Sequence, residues 1–144
     1  MRESHQDPVL GTLVFNRDLD CYEGSVQSGA DKIDISISLE GVTDGERLIV
    51  AVSANVSSAL QLLPKAKGYV TDQLLDIKNG HWLEDDEKPL SRRRFMSDLT
   101  PKALVARTPI DWELYFDAAE LFWGHDIVVF WNATKGFERA ETVG

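Results

Sequence analysis

A strict alternation of apolar and polar residues runs from position 32 to position 39. Its apolar members are Ile33, Ile35, Ile37 and Leu39. Because successive side chains of a strand point to opposite faces, this pattern predicts a strand with one face on a core and the other in water. Two shorter strands are predicted before it, at 11–15 and 22–26, which indicates an antiparallel meander.

A helical spacing replaces this alternation after position 43. Thr43 and Glu46 have the spacing of a capping box, so a helix is expected to begin there. Its apolar stripe recurs every three or four residues and comprises Leu48, Ile49, Val52, Val56, Ala59, Leu60 and Leu63. Pro64 predicts either a break or the first turn of a second helix. That second helix ends near Asn79 or continues through Leu83, and the pattern leaves both open.

A third helix and further strands follow. Ser91 can cap a short helix with Phe95 on its core face. Strands are then predicted at 102–107, 112–116 and 127–131, with a last short one from 137 toward 143 at the sheet edge. The order βββ-αα(α)-βββ is typical of an α+β fold, here a two-layer one with an antiparallel sheet and helices packed on one face. Residues 1–144 are read as a single domain, and 1–9 as a flexible N-terminal extension.

Composition favours a folded chain outside the membrane. Hydrophobic residues make up 43% and charged residues 27% of the sequence, and no apolar run is long enough to span a bilayer. The polar N-terminus lacks the apolar stretch of a secretory signal, and the lone Cys21, expected to be a small buried side chain, fits a reducing compartment. We therefore expect a cytoplasmic protein with no membrane partner.

The charge balance restricts the classes of partner. The net charge is −9, from 24 acidic and 15 basic residues. This negative charge disfavours binding to the phosphate backbone of nucleic acids and allows a basic protein partner. The sequence leaves the oligomeric state open. The arginines at 92–94 are interpreted as a solvated face that pairs with the acidic residues at 84–87.

The motifs that carry known chemistry are missing. The sequence has no glycine-rich nucleotide loop, no G-x-S-x-G, no H-E-x-x-H and no paired cysteines. It therefore predicts no catalytic residue, no metal site and no cofactor.

One loop does gather polar and aromatic side chains. Its candidate site residues are Asp117, Glu120, Phe122, Trp123, His125 and Asp126. In one interpretation the aromatic rings form the wall of a pocket in which His125 titrates beside a carboxylate. In the other, which we favour, the rings close one end of the sheet and His125 orders the loop.

A second candidate site would bind a protein. Its residues are Trp82, Glu84, Asp85, Asp86 and Glu87. An aromatic anchor with an acidic rim is typical of an interface, although Trp82 could equally belong to the core.

Four segments resemble one bacterial family. The residues 112–117 and 121–129, the latter with a distinctive Trp-Gly-His stretch, are joined by 10–15 and 82–85. Together they are similar to the bacterial domain-of-unknown-function family 2262. The resemblance covers most of the chain and implies a bacterial, intracellular, stand-alone domain without an assigned activity or catalytic residues to transfer.

Two functional hypotheses follow. The first is a non-catalytic protein-interaction module, such as an inhibitor or immunity-type protein with an acidic surface. The alternative is a small-molecule-binding protein or minor hydrolase that uses the loop Asp117–Asp126 with His125.

Overall fold

Eight strands hydrogen-bond in chain order into one sheet in the computed structural model, which describes residues 3–144. The strands are β1 (Ser4–Asp7), β2 (Gly11–Asn16), β3 (Cys21–Ser28), β4 (Asp31–Ser38), β5 (Thr100–Ala106), β6 (Asp111–Asp117), β7 (Asp126–Asn132) and β8 (Gly136–Val143). Neighbours pair antiparallel except β4 and β5, which are parallel. The sheet is therefore mixed, and the prediction of an antiparallel sheet is wrong at this one pair.

Three helices between β4 and β5 account for the parallel pair. They are α1 (Gly45–Gln61), α2 (Leu63–His81) and α3 (Arg92–Ser97). Parallel neighbours need a long crossover connection, and these helices supply it. The α+β class is confirmed. Four strands precede the helices, where the predicted order βββ-αα(α)-βββ has three, whereas the strands predicted at 102–107, 112–116, 127–131 and 137–143 are all present after them.

The additional first strand lies within residues 1–9, which the sequence analysis assigned to a flexible extension. The Asp7 carboxylate accepts hydrogen bonds from the N–H groups of Val9 (2.9 Å) and Leu10 (2.8 Å) and from the Ser53 hydroxyl of α1 (2.8 Å). Burial opposes ionisation of Asp7, yet these hydrogen bonds outweigh it and hold the pKa of the carboxyl below its usual value. Asp7 thus ties β1 to the first helix.

One hydrophobic core joins the sheet to all three helices. Ile33, Ile35 and Ile37 are buried in it, which confirms the strand that their alternation predicts. Helices contribute side chains such as Val52, Val70 and Phe95 to the same cluster. Cys21 is also buried, as expected, and burial raises the pKa of its thiol.

The helix ends differ from prediction at the cap of α1. The side chain that caps α1 is Asp44, which accepts the N–H of Arg47, and not Thr43. Pro64 lies in the first turn of α2, and this helix ends at His81, beyond Asn79 but before Leu83. Ser91 caps α3 as predicted.

No single helix within residues 3–144 is long and apolar enough to cross a membrane. α1 and α2 pass that test only as a pair bent by 62°, on length and composition alone, as core helices of folded domains also do.

Candidate functional site

The two candidate sites of the sequence analysis meet in the structure. The Trp82 ring lies 5.5 Å from the ring of Phe122, 4.9 Å from that of Trp123 and 5.8 Å from that of His125, each in an edge-on arrangement. Such aromatic pairs stabilise a fold beyond the area that they bury. The end of α2 and the β6–β7 loop therefore form one aromatic cluster.

Lys78 positions the segment that follows Trp82. This lysine is completely buried; its ammonium donates to the Trp82 carbonyl (2.7 Å) and to Oε1 of Glu87 (2.8 Å). The same Glu87 oxygen accepts the N–H of Glu84 at 3.2 Å. The hydrogen bond from Lys78 holds the pKa of the Glu87 carboxyl below its usual value. Glu87 is therefore a structural anchor of the acidic segment.

Sequence reasoning missed Lys78, although a signal was present. Val70, Leu74 and Lys78 follow one another at four-residue steps, so the lysine continues the buried stripe of α2. A buried ammonium needs a counter-charge, and the acidic residues at 84–87 were the nearest ones after α2 in the sequence. In the structure Glu87 supplies that charge.

The other carboxylates of the segment remain at the surface. Glu84, Asp85 and Asp86 are exposed and line, with Leu83, Glu87 and Trp123, an open concavity of about 700 Å³. Trp123 keeps 54% of its surface exposed. We call Glu84, Asp85, Asp86 and Trp123 the acidic–aromatic surface.

The loop backbone turns Trp123 outward. Phe122 is fully buried against Phe95, with ring centroids 6.1 Å apart, whereas the next residue lies at a positive φ of 54°. Gly124 follows at a φ of 90°. A left-handed conformation is unfavourable for a bulky residue, so packing around Phe122 must hold Trp123 in it.

The remaining polar residues of the loop do not converge. Asp117 accepts the N–H of Ala119 (2.8 Å), and Asp126 pairs with Lys102 (2.6 Å), a hydrogen bond that raises the pKa of the lysine. Glu120 is exposed. Asp117 thus stabilises a turn, and Asp126 links β7 to β5.

His125 is half-buried beside Trp82. Within residues 3–144 its imidazole makes no side-chain hydrogen bond or ion pair, and it does not line the concavity. General acid–base chemistry needs a polarising partner and access to substrate, so this arrangement offers no support for a hydrolytic centre.

A second polar cluster, which the sequence analysis also missed, lies on the strands. Glu113 accepts two hydrogen bonds from the Arg107 guanidinium (2.8 and 3.2 Å) and one from the Tyr115 hydroxyl (2.7 Å). Burial, together with the bond to Glu113, raises the pKa of Tyr115 to about 12. The arginines at 92–94 are exposed, as expected of a solvated face, but Arg92 pairs with Asp72 of α2 and not with the acidic residues at 84–87.

In the described part of the chain, no group of three or more histidine, cysteine, aspartate or glutamate side chains has a geometry that could hold a metal ion.

Comparison with known proteins agrees with the sequence resemblance. No curated protein and no solved structure matches the chain. A family model described as "Uncharacterized protein conserved in bacteria (DUF2262)" matches residues 7–142, which is nearly the whole sequence. The chain therefore belongs to the bacterial family DUF2262.

Proposed function

We propose that this chain is a non-catalytic protein-interaction domain that binds a basic protein partner through its acidic–aromatic surface. The observation that carries the proposal is Trp123, which the loop backbone holds half-exposed beside the concavity lined by Glu84, Asp85 and Asp86. Tryptophan is strongly enriched among the residues that dominate binding energy at interfaces.

The chemistry of the surface favours arginine and lysine side chains. A guanidinium can stack on the exposed indole face and form ion pairs with carboxylates at the rim of the concavity. The net charge of −9 would also accelerate encounter with a positively charged protein. In this proposal the domain works in the cytoplasm, as an inhibitor or immunity-type protein that covers a basic surface.

The hydrogen bonds of Lys78 hold the acidic–aromatic surface in place before a partner binds. Because Glu87 and the Trp82 carbonyl are both fixed to a buried ammonium, the three exposed carboxylates between them are presented from a fixed segment. A rigid surface loses less conformational entropy on binding than a mobile one.

The test is affinity capture from a lysate of the source bacterium at low and moderate salt. The wild-type chain is compared with Trp123→Ser and with a triple variant in which Glu84, Asp85 and Asp86 become serine. The proposal predicts a basic partner that the wild type retains at low salt, that added salt weakens, and that both variants lose.

A matched triple variant controls for net charge alone. Asp18, Glu40 and Asp76 are exposed acidic residues elsewhere, and changing them to serine alters the charge by the same amount. Retention by this control and loss by the surface variants supports the proposal. Equal retention by all variants, or no enrichment of any basic protein, refutes it.

A further inference from the structure

The open sheet ends in two very different edges. β1 has only four residues, is followed by Pro8, and is tied to α1 through Asp7 and Ser53. β8 has eight residues and no proline, and no other strand of the described chain pairs with its outer side. A free edge of this length presents unpaired backbone N–H and C=O groups, which are a template for another strand.

We propose that β8 is the docking edge for a second copy of this chain, paired antiparallel about a two-fold axis at Ala140. In this register Ala140 faces Ala140 of the second copy. Arg139 then lies opposite Glu141 of the second copy, and Glu141 opposite its Arg139. Directly opposed unlike charges stabilise a strand pair.

The neighbouring symmetric registers lack this complementarity. An axis at Arg139 would place the two Arg139 side chains opposite each other, and an axis at Glu141 would oppose the two glutamates. Directly opposed like charges destabilise a strand pair. The charge pattern of β8 therefore selects the axis at Ala140 over the registers centred one residue to either side.

The charged side chains are already arranged on one face. Arg139 pairs with Phe130 of β7 and Glu141 with Val128, which places both on the same side of the sheet. The Arg139 guanidinium lies 3.8 Å from the centre of the Phe130 ring, and its Nε is 3.6 Å from Glu141 Oε2. Two copies would thus join their pairs into an alternating set of four charges.

The geometry limits the size of the assembly. Two-fold pairing of β8 with itself uses up the free edge, and the short, tied β1 offers no equivalent strand, so the contact closes at a dimer. The register of β8 on β7 shifts between Phe130 and Trp131, which leaves Glu138 without a partner in β7 and confines regular pairing to the residues after it. Such a small contact predicts a weak dimer, with a Kd roughly between 10 µM and 1 mM.

Sedimentation equilibrium over that concentration range tests the proposal. The wild type is expected to dimerise, whereas Arg139→Glu and Glu141→Arg each oppose like charges and are expected to remain monomeric. The double variant Arg139→Glu, Glu141→Arg restores the opposite charges and is expected to dimerise again. An equimolar mixture of the two single variants is expected to form a heterodimer for the same reason.

Recovery in the mixture or in the double variant cannot come from a misfolded chain, which guards against a trivial loss in the single variants. Arg17→Glu is the matched control, because it makes the same charge change at the opposite end of the sheet and should dimerise like the wild type. A wild type that stays monomeric at about 1 mM overturns the proposal. So do single variants that dimerise like the wild type, or a mixture and double variant that both stay monomeric.

Discussion

Replacing Glu87 by glutamine leaves the buried Lys78 ammonium without its counter-charge. The two side chains are 2.8 Å apart; that of Lys78 is fully buried, and that of Glu87 is 30% exposed. Glutamine keeps a hydrogen-bond acceptor of the same size, so the substitution changes the charge and little else. We expect the Glu87→Gln variant to be less stable than the wild type.

The burial of the Lys78–Glu87 pair determines how much stability the Glu87→Gln variant loses. Exposed ion pairs stabilise proteins by about 0.2–1 kcal/mol, whereas removing one partner of a buried pair costs about 3–5 kcal/mol. Because only the lysine is fully buried, this pair lies between the two classes, and we expect a loss of about 2 kcal/mol in the free energy of unfolding. Lys78→Met removes the buried charge instead and leaves Glu87 in contact with water, so its loss should stay within about 1 kcal/mol.

Lowering the pH should reduce the difference in unfolding free energy between the Glu87→Gln variant and the wild type. Lys78 holds the native pKa of Glu87 below the reference value of 4.5. The stabilisation by this carboxylate is therefore complete well above pH 4.5 and is lost as the pH falls through the lowered native pKa. The glutamine variant lacks this component at every pH.

Urea unfolding followed by circular dichroism, at neutral pH and at a series of acidic pH values, measures both effects. Unfolding free energies of the Glu87→Gln variant and the wild type that agree within about 0.5 kcal/mol at neutral pH would refute the reasoning. So would a larger loss for Lys78→Met than for Glu87→Gln, because the buried lysine would then be a net stabiliser without its carboxylate.

Two further substitutions test other parts of the structure. Glu113→Gln removes the charged acceptor of the Tyr115 hydroxyl, so the pKa of this tyrosine should fall from about 12 toward the ordinary value of 10.0, with its burial still opposing ionisation; a phenolate absorbance titration unchanged by the substitution would contradict this. Asp44→Ala removes the cap of α1 and should lower the unfolding free energy by about 1 kcal/mol, whereas Thr43→Ala should change it by a few tenths. Equal losses in urea unfolding for these two variants would show that Asp44 is not the cap.

The fold was predictable where the pattern itself is local. The alternation around Ile35 and the helical stripe around Val52 follow from burial on one face, and both elements are present. β1 could not be predicted from such a pattern, because its residues are polar and its position depends on the contact between Asp7 and Ser53 of α1. The direction of β5 depends on the path of the helices before it, which no local pattern encodes.

The candidate site was predictable in pieces. Trp82 and Trp123 were each assigned to a different candidate site, and only the fold brings the centres of their rings to 4.9 Å. Lys78 was missed because lysine is expected at the surface, and its burial depends on Glu87 nine residues later. Glu113 was missed because its pairing with Arg107 depends on the turn that brings the residue after β5 back beside β6.

The single parallel pair has a consequence for how the chain folds. Every other strand pair joins neighbours in sequence, so the four strands before the helices and the four after them can each form through short loops. The β4–β5 pair instead joins Asp34 to Ala103 across the whole helical segment. Closing a long loop costs more entropy than closing a turn, and contacts distant in sequence slow folding. We therefore expect the four strands before the helices and the four after them to pair first. The β4–β5 pair should form later and more slowly, and earlier formation of the helices should speed it by shortening the path between the two strands.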